Sequence, residues 1–426
     1  MRGLRSTIAL ILVLGGLGAY IYFVTWKKPP ETTSTAEKVF AGFDAGKIDE
    51  LKVTSDKGDV TTLKKENGAW QLVAPVTAKA DDTEVSAVTS ALGQLEVVRV
   101  VDENPADLKE YGLATPRIAI EHKAAGDKDY RRLQIGDKSP TGTDLFAKRN
   151  EDKKVFLIPA FQETTFNKSA FELRDKIVMK FDRDKVDGVD VNAGGQTVQI
   201  AKDNAEWKIT QPVQTRADYG SVEGLIGRLH TAPMKAIVAD AATPADLKKY
   251  GLDKPAATVD FKMGSARATL ALGAKADDGT VYARDTSKPM VVTVDSAIAE
   301  DLKKGAGEYR RKDVFEFRPF NATRLEVTRG GQTVAFEKVT GDGKDVADKW
   351  RRVSPGAPAD ADKDKMDSLL NRLANMRATA FVDSTAGTGL NTPAMIVAAK
   401  FDEGKKEERL TFGKADSDVF VALRAG

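Results

Sequence analysis

Few groups in this chain could carry out acid–base or metal chemistry. The sequence contains two histidines, His122 and His230, and no cysteine. The lack of cysteine excludes disulfides, thiolate zinc sites, a cysteine nucleophile and a bacterial lipoprotein anchor. Neither histidine has a second histidine at the spacing of a zinc site. A reactive site would therefore have to rest on carboxylates or on a single imidazole.

The carboxylates come closest to a binding motif at residues 360–364, Asp-Ala-Asp-Lys-Asp, which resemble the start of a calcium loop. Such a loop needs glycine at its sixth position and glutamate at its twelfth, and here these are Lys365 and Asn371. We favour the beginning of a helix, where aspartate caps free N–H groups. No phosphate-binding loop, dinucleotide fingerprint or serine nucleophile elbow occurs in the sequence after the N-terminal segment. The sequence predicts a protein that is not an enzyme, with no catalytic, cofactor-binding or metal-binding residues.

The overall charge narrows the classes of partner. Lysine and arginine total 65 and aspartate and glutamate total 63, so the formal net charge is +2. Because no basic block stands out, the sequence does not predict nucleic-acid binding.

The strongest pattern is a threefold internal repeat. In each repeat a tryptophan and a proline precede a Gly-Leu-x-x-Pro segment: Trp70/Pro75 and Gly112–Pro116, Trp207/Pro212 and Gly251–Pro255, Trp350/Pro355 and Gly389–Pro393. The glycines are 251 − 112 = 139 and 389 − 251 = 138 residues apart. This period is longer than the roughly 20–50 residues of a solenoid repeat. We therefore predict three folded units in tandem.

Each repeat begins with a predicted β-hairpin, because apolar and polar residues alternate on both sides of a glycine-containing turn. The tryptophan then starts a third strand, which the proline ends because proline cannot donate a hydrogen bond to a sheet. The spacing from glycine to tryptophan is 207 − 195 = 12 in repeat 2 and 350 − 331 = 19 in repeat 3. We therefore expect an insertion in repeat 3 within Thr340–Lys349.

An amphipathic helix is predicted after the third strand. Apolar residues recur every three and four residues, which indicates one buried helix face. Aspartates stand at the start of each helix, where they suit the N-cap and the helix dipole. The apolar positions are Val85, Val88, Leu92 and Leu95 in repeat 1, Val222, Leu225, Ile226 and Leu229 in repeat 2, and Met366, Leu369, Leu370 and Leu373 in repeat 3.

The remainder of each repeat is predicted to be mostly strands. One strand follows the main helix, at 97–101, 236–239 and 378–382. A short helix in repeats 1 and 2 then ends at the Gly-Leu segment, since glycine can take the left-handed conformation that terminates a helix. Four further strands close a complete repeat, and repeat 3 is expected to lack the last of them because the sequence stops at Gly426. Antiparallel strands with one main helix predict an α+β fold.

The repeat also suggests a role for each histidine. The positions that correspond to His122 are Phe261 and Ala399, so we interpret His122 as a half-buried strand residue rather than a catalytic base. His230 ends the main helix of repeat 2, where a positive charge is favourable.

The N-terminal segment carries the localisation signal. Arg2 and Arg5 precede the uncharged stretch Ile8–Trp26, which as a helix would span about 28 Å of the roughly 30 Å hydrocarbon core. A signal peptide cleaved after Ala19 is the alternative. We favour an uncleaved anchor, because the apolar run continues beyond that site. A short basic N-terminus before a single span usually stays in the cytoplasm, which would place the rest of the chain outside.

These expectations divide the chain into six parts and give the fold class. The fold class is α+β, with three tandem β-rich units, each a mostly antiparallel sheet packed with one main helix, after an N-terminal transmembrane helix. The parts are a basic N-terminus (1–7), a transmembrane anchor (8–26), a flexible tether (27–37), repeat 1 (38–180), repeat 2 (181–316) and a C-terminally incomplete repeat 3 (317–426).

Several short segments resemble those of a bacterial family. Leu-Lys-Glu-Tyr-Gly-Leu precedes Pro116, Leu-Lys-Lys-Tyr-Gly-Leu precedes Pro255, and Tyr-Ala-Arg-Asp precedes a valine-rich strand in repeat 2. With the N-terminal anchor and the tryptophan strands, they resemble the domain of unknown function 4340 family over nearly all of the chain after residue 38. The resemblance implies a membrane-associated protein, and some members of the family are encoded beside ABC transporter genes of the gliding-motility type. It supplies no catalytic residues.

We therefore expect a non-catalytic envelope protein of the bacterial inner membrane. Its N-terminus would be cytoplasmic, its soluble region periplasmic, and its role to bind or space a protein partner such as a transporter assembly. The alternative is an extracytoplasmic solute-binding protein or enzyme with a cleft between units. In repeat 3, Val419–Leu423 is expected to be an open apolar edge strand that pairs with a partner chain or with a second copy.

Overall fold

The computed structural model describes residues 37–150, 152–340, 348–382 and 384–424. The predicted membrane anchor (8–26) lies outside these residues, as does most of the predicted insertion in repeat 3. Among the residues described, no helix combines the length and the apolar character needed to cross a membrane.

The described residues form three antiparallel sheets, one for each repeat. The first sheet contains β1 (Ile48–Thr54), β2 (Val60–Glu66), β3 (Ala69–Ala74), β4 (Ala78–Lys79), β5 (Arg99–Asp102), β6 (Ile118–Ala124), β7 (Arg131–Lys138), β8 (Asp144–Arg149) and β9 (Val155–Pro159). The second contains β10 (Gly188–Ala193), β11 (Gln196–Asp203), β12 (Glu206–Gln211), β13 (Thr215–Arg216), β14 (Ala236–Ala239), β15 (Ala257–Met263), β16 (Ala266–Lys275), β17 (Val281–Asp285) and β18 (Val291–Val294). The third contains β19 (Ala322–Arg329), β20 (Gln332–Val339), β21 (Lys349–Ser354), β22 (Ala359–Asp360), β23 (Met395–Phe401), β24 (Lys406–Ala415) and β25 (Asp418–Arg424).

The described residues contain fewer helices than strands. Each repeat has one longer helix, between its fourth and fifth strands. The α-helices are α1 (Asp82–Gln94), α2 (Glu163–Phe166), α3 (Ala170–Leu173), α4 (Tyr219–His230), α5 (Pro244–Lys249), α6 (Ser296–Leu302), α7 (Ala306–Tyr309) and α8 (Lys363–Ala374). Short 3₁₀ turns lie at Ala45–Lys47, Lys109–Tyr111, Ala160–Gln162 and Arg183–Lys185.

The strand order is the same in the first two sheets and differs at one edge of the third. The first sheet runs β4-β3-β2-β1-β6-β7-β8-β9-β5 and the second runs β13-β12-β11-β10-β15-β16-β17-β18-β14. In both, the strand that follows the main helix crosses to the far edge. The third sheet runs β22-β21-β20-β19-β23-β24-β25, so β25 is its edge.

The predicted hairpins and tryptophan strands are confirmed. Gly194 and Gly195 turn with φ of 58° and 76°, and the following register pairs Val191 with Val198. Positive φ at both central residues is the turn geometry that matches the twist of a two-strand ribbon. The strands β3, β12 and β21 each end directly before the repeat's proline, which is Pro75, Pro212 or Pro355. The peptide bond before each of these prolines is cis. Each tryptophan side chain is buried in its repeat.

The three main helices begin as predicted, and their predicted apolar positions are buried except for Leu369, which is half-buried, while Leu95 is the buried C-cap of α1. Asp218 accepts a hydrogen bond from the Ser221 backbone N–H at 2.9 Å, and Asp81 and Asp362 cap α1 and α8 in the same way. An N-cap carboxylate satisfies a backbone donor that the helix leaves free. The buried faces consist of Val85, Val88, Thr89 and Leu92 in α1, Val222, Leu225, Ile226 and Leu229 in α4, and Met366, Leu370, Leu373 and Ala374 in α8.

The Gly-Leu segment and the glycine that ends a later strand belong to one structural device. The first glycine is left-handed in all repeats, with φ of 65°, 68° and 69° at Gly112, Gly251 and Gly389. The second glycine of each repeat ends a later strand and packs against the carbonyl group of the residue that precedes the first glycine. A Cβ on this second glycine would lie only 2.0 to 2.2 Å from that carbonyl oxygen. The pairs are Gly136 with Tyr111, Gly273 with Tyr250, and Gly413 with Thr388. Both glycines are therefore explained by backbone geometry.

One predicted strand is wrong. Residues 378–382 form no strand in the structure, and the local pairing is a single bridge between Asp313 and Arg377. In the other sheets the corresponding strands are held by a neighbour, since β5 pairs with β9 and β14 pairs with β18. The described part of repeat 3 has no counterpart of β9 or β18, so this segment has no sheet to join.

The chain divides into two compact units between Lys176 and Ile177, which places repeats 2 and 3 in the same unit. Within that unit, polar and charged side chains connect the two repeats. Arg377 of repeat 3 reaches Asp218 of repeat 2 at 3.6 Å. The Arg310 guanidinium lies 3.9 Å from the centre of the Phe381 ring, a cation–π contact.

Candidate functional site

The main candidate for a functional surface is the outer edge of β25. This strand pairs with β24 over seven residue pairs, from Arg409–Arg424 to Ala415–Asp418. Among the described residues, no strand pairs with its other side. Its counterparts β8 and β17 each lie between two strands. The backbone N–H and C=O groups on the open side of β25 are therefore a template for another strand.

Side-chain exposure follows from the missing neighbour. Leu145 of β8 is 0% exposed and Val281 of β17 is 3% exposed, whereas Val419, at the same position of β25, is 63% exposed. Two residues along, Ala147 and Ala283 are 0% exposed and Val421 is 36% exposed. Equivalent apolar positions are thus covered in two sheets and open in the third.

The residue types at this edge are unusual for an edge strand. Natural edge strands are commonly protected by charged residues, which oppose pairing with another chain. Here residues 419–423 read Val-Phe-Val-Ala-Leu, without a charge. The covered strands β8 and β17 do carry charges at the corresponding end, at Lys148 and Arg149 and at Arg284 and Asp285. The apolar open strand therefore lacks the protection that its covered relatives have.

The segment 378–382 adds to the open surface of repeat 3. It corresponds to the strands β5 and β14, which lie beyond β9 and β18. Val382 is among the exposed large apolar residues. In repeats 1 and 2 the strands β9 and β18 lie between two neighbours. The segments of repeat 3 that correspond to those two neighbours both carry an exposed valine, Val419 and Val382.

His122 is a core residue, more deeply buried than the sequence predicted. It lies in β6, is 2% exposed, and contacts the rings of Phe40 and Phe43 edge-on, at 4.8 and 4.9 Å between centroids. Burial, helped by the charge of Arg131, lowers the pKa of His122 to about 4. The imidazole is therefore neutral at physiological pH and packs as an aromatic side chain, as Phe261 does in repeat 2 by stacking on Phe181 at 4.4 Å.

The other residues singled out in the sequence have structural roles. His230 lies in the last turn of α4 and contacts the Phe181 ring edge-on at 5.2 Å. Asp362, from the calcium-like run, accepts a hydrogen bond from the Lys365 backbone N–H at 3.0 Å. In the described ranges, no group of three or more histidine, aspartate or glutamate side chains could hold a metal ion.

A polar depression of about 450 Å³ lies at the β6–β7 turn and was not predicted. Its lining is Asp127, Lys128, Asp129, Tyr130, Arg131, Arg132 and Asn150. Tyr130 donates a hydrogen bond to the Glu50 carboxylate. Burial and this carboxylate raise the pKa of Tyr130 to about 12. The tyrosine therefore stays protonated as a donor and fixes the turn against β1.

Glu408 is a buried carboxylate that sequence reasoning missed. It lies in β24 and accepts hydrogen bonds from the backbone N–H groups of Glu316 at 2.9 Å and Phe317 at 3.1 Å. Burial raises its pKa above the ordinary value. Its role is to hold the segment that leads into repeat 3. Its partners are 92 and 91 residues away in the chain, so no local pattern could reveal it.

The fold and this edge define a class: a tandem-repeat protein with one antiparallel sheet in each repeat, whose third sheet ends at β25 among the described residues. The model of the family described as domain of unknown function (DUF4340) matches residues 70–208 and 207–394. The chain belongs to that family, which confirms the resemblance found in the sequence. Each match starts at a tryptophan strand. No curated protein and no solved structure matches the chain.

Proposed function

We propose that this protein is a non-catalytic, membrane-anchored envelope protein that binds a protein partner through the open edge of its third sheet. The observation that carries the proposal is the uncharged apolar run 419–423 of β25, in which Val419 is 63% exposed. Strand addition to an exposed sheet edge is a common mode of protein recognition, in which main-chain hydrogen bonds supply affinity.

The comparison among repeats supports a binding role over a catalytic one. The features that all repeats share are the tryptophan, the helix N-cap and the two glycines, and each of them builds the fold. The histidine that differs among them, His122, packs in the core of repeat 1 between two phenylalanines. The surface that distinguishes repeat 3 from its relatives is an apolar edge, whose chemistry suits association.

The proposed location is the bacterial inner membrane, with the N-terminus in the cytoplasm and the repeats in the periplasm. The support is the uncharged stretch Ile8–Trp26 after Arg2 and Arg5. A transporter assembly is the proposed kind of partner, on the basis of the family resemblance.

Cysteine labelling of intact cells tests the location, since the chain has no cysteine of its own. Lys57→Cys and Asp277→Cys place a thiol at exposed turns of repeats 1 and 2. We expect both to react with an impermeant maleimide once the outer membrane is opened. Ser55→Cys is the matched control, because Ser55 is buried in the same turn as Lys57 and should react only after unfolding. Reaction of the exposed variants only after cell lysis would place the repeats in the cytoplasm.

Crosslinking in native membranes tests the binding role. We expect specific proteins to be crosslinked to the wild-type chain and lost with Val421→Pro, because proline removes a donor from the open edge. Val339→Pro is a useful control, since Val339 is exposed at the end of β20 in the same sheet. Equal crosslinking by wild type and both variants would contradict binding through β25.

A further inference from the structure

We propose that the strand which covers β25 is β25 of a second copy of this chain. The two strands would run antiparallel, about a two-fold axis that passes beside Val421. This inference rests on the proposed function, because it names the partner of the same edge.

The sequence of β25 is complementary to itself in this register. Position 421 is the middle of the strand, so Val421 faces Val421 of the second copy. Val419 then faces Leu423, and Phe420 faces Ala422. Position 418 then faces position 424, so all seven positions of β25 are paired. Directly opposed residues of opposite charge stabilise an antiparallel pair, and like charges destabilise it.

The first two sheets show what kind of strand fits beside this position. In both, an aromatic residue of the covered strand faces a smaller residue of the covering strand, and apolar residues flank it. The register pairs are Leu145–Ile158, Phe146–Leu157 and Ala147–Phe156 in sheet one, and Val281–Val294, Tyr282–Thr293 and Ala283–Val292 in sheet two.

A second β25 reproduces that arrangement. In the proposed register Phe420 faces alanine, as Tyr282 faces threonine in sheet two. The residues that would take the places of Val292, Thr293 and Val294 are Val421, Ala422 and Leu423. The covering strands β9 and β18 are antiparallel to β8 and β17, and the second β25 would be antiparallel as well.

Two-fold symmetry makes the pairing self-limiting. In an isologous interface the same surface is used by both copies, so association stops at the dimer. Each copy covers the other's Val419, which is 63% exposed in a single chain. The outer side of β25 is thereby covered in both copies, and each third sheet ends only at β22.

A charge placed on the axis tests the register. In the full-length chain, purified in detergent, Val421→Lys puts two like charges directly opposite each other. We expect the dimer to weaken by about fivefold or more, measured by light scattering across a dilution series. Val419→Lys is the matched control. In the proposed register this lysine would face Leu423 of the second chain, and the two lysines at 419 would lie four residues apart along the strand. This variant should weaken the dimer less, although Val419 is the more exposed residue.

A mixture of oppositely charged variants makes the test independent of folding defects. Val421→Lys and Val421→Glu should each dissociate at concentrations at which the wild-type chain is still dimeric. When they are mixed in equal amounts, we expect a dimer to form again, because lysine then faces glutamate. Failure to recover the dimer from the mixture would overturn the register.

Disulfide formation gives a second, direct readout in this cysteine-free chain. Directly opposed residues have Cβ atoms roughly 4.5–5.5 Å apart, near the range for a disulfide. Val421→Cys should therefore crosslink to itself under mild oxidation. Val419→Cys should not, since four residues along a strand separate the two thiols by about 13 Å. Equal crosslinking of both variants would indicate parallel or random encounters and would overturn the proposal, as would crosslinking of neither.

The proposal and the proposed function can fail separately. If the wild-type chain is monomeric at all concentrations, while Val421→Lys still loses the proteins crosslinked in membranes, then β25 binds a foreign strand and self-pairing is wrong. If the variants change neither the mass nor the crosslinked proteins, both are wrong.

Discussion

The strands β17 and β25 occupy the same position in two copies of one repeat, yet they meet different surroundings. Val281 of β17 is buried by β18, and Val419 of β25 is exposed. On their other side both strands pair with the preceding strand, since Ala283 faces Leu272 and Val421 faces Phe412, although β16 has a register shift after Leu272 that β24 lacks. Among the described residues, β18 covers β17, whereas no strand covers the outer side of β25. It follows that the shared pattern of the repeats specifies a core, while the function is expected where the third repeat departs from the pattern.

The shared part includes three features that act on the backbone and the core: a buried tryptophan, a capped helix and a pair of contacting glycines. If these features serve only the fold, changing them should cost stability to a similar degree in any repeat. If the departure in repeat 3 serves association, changing β25 should cost little in a single chain.

Removal of a repeat tryptophan should cause the largest loss. Trp207 is buried in repeat 2 and its indole N–H donates to Glu223 at 3.0 Å. We expect Trp207→Ala to destabilise repeat 2 by about 3–5 kcal/mol, measured by hydrogen exchange on peptides of that repeat in the full chain. Trp207→Phe keeps an aromatic ring and should cost less. A loss below about 1 kcal/mol for the alanine variant would mean that the tryptophan is not a core anchor.

Acidification should destabilise repeat 1 through His122. The pKa of this imidazole is lowered from 6.5 to about 4 in the folded chain, so the unfolded chain binds more protons between these values. The free energy of unfolding of repeat 1 therefore keeps its full value above about pH 6.5. It falls by roughly 3 kcal/mol as the pH is lowered towards about 4. His122→Phe, which copies Phe261 of repeat 2, should remove this pH dependence. A constant stability difference between wild type and variant across this range would contradict the buried, neutral histidine.

The sequence predicted the repeated core better than it predicted the exceptions. Period-two alternation, helical spacing and glycine turns are local, so the hairpins, the main helices and their N-caps follow from residues close together in the chain. The strand expected at 378–382 failed because a strand of four or five residues depends on a neighbour that comes much later in the chain, as β14 depends on β18.

The candidate site was partly accessible to sequence reasoning. Val419–Leu423 could be recognised as an uncharged strand, because the corresponding segments of the two other repeats also form strands. The burial of His122 by Phe40 and Phe43 could not be anticipated, because those phenylalanines precede the first strand and lie outside any periodic pattern. The bonds of Glu408 likewise join positions that are distant in the chain.

Replacing the strand-ending glycine that packs against a backbone carbonyl (Gly136, Gly273 or Gly413) by alanine should destabilise its repeat. In repeat 2, a Cβ on Gly273 would lie 2.2 Å from the Tyr250 carbonyl oxygen, which is backbone and cannot rotate away. We expect Gly273→Ala to cost about 3 kcal/mol, at the upper end of the usual cost of overpacking. Gly224→Ala is the matched control, because Gly224 lies in α4 with open space around its Cβ position. That variant should be stabilised by up to about 1 kcal/mol, and equal losses in both would contradict the close approach.

Truncation of the exposed valine should have the smallest effect, and it addresses the comparison directly. Val419→Ala removes a side chain that is 63% exposed, so a single chain should lose no more than about 0.5 kcal/mol. Leu145→Ala, at the covered position of sheet one, should cost about 2–5 kcal/mol. Denaturation at several protein concentrations checks both. If β25 pairs with a second copy, the small loss at Val419 should grow as the concentration rises, because association then buries the side chain, while the loss at Leu145 should stay constant. A large loss at Val419 in dilute solution would mean that this edge is already covered within one chain.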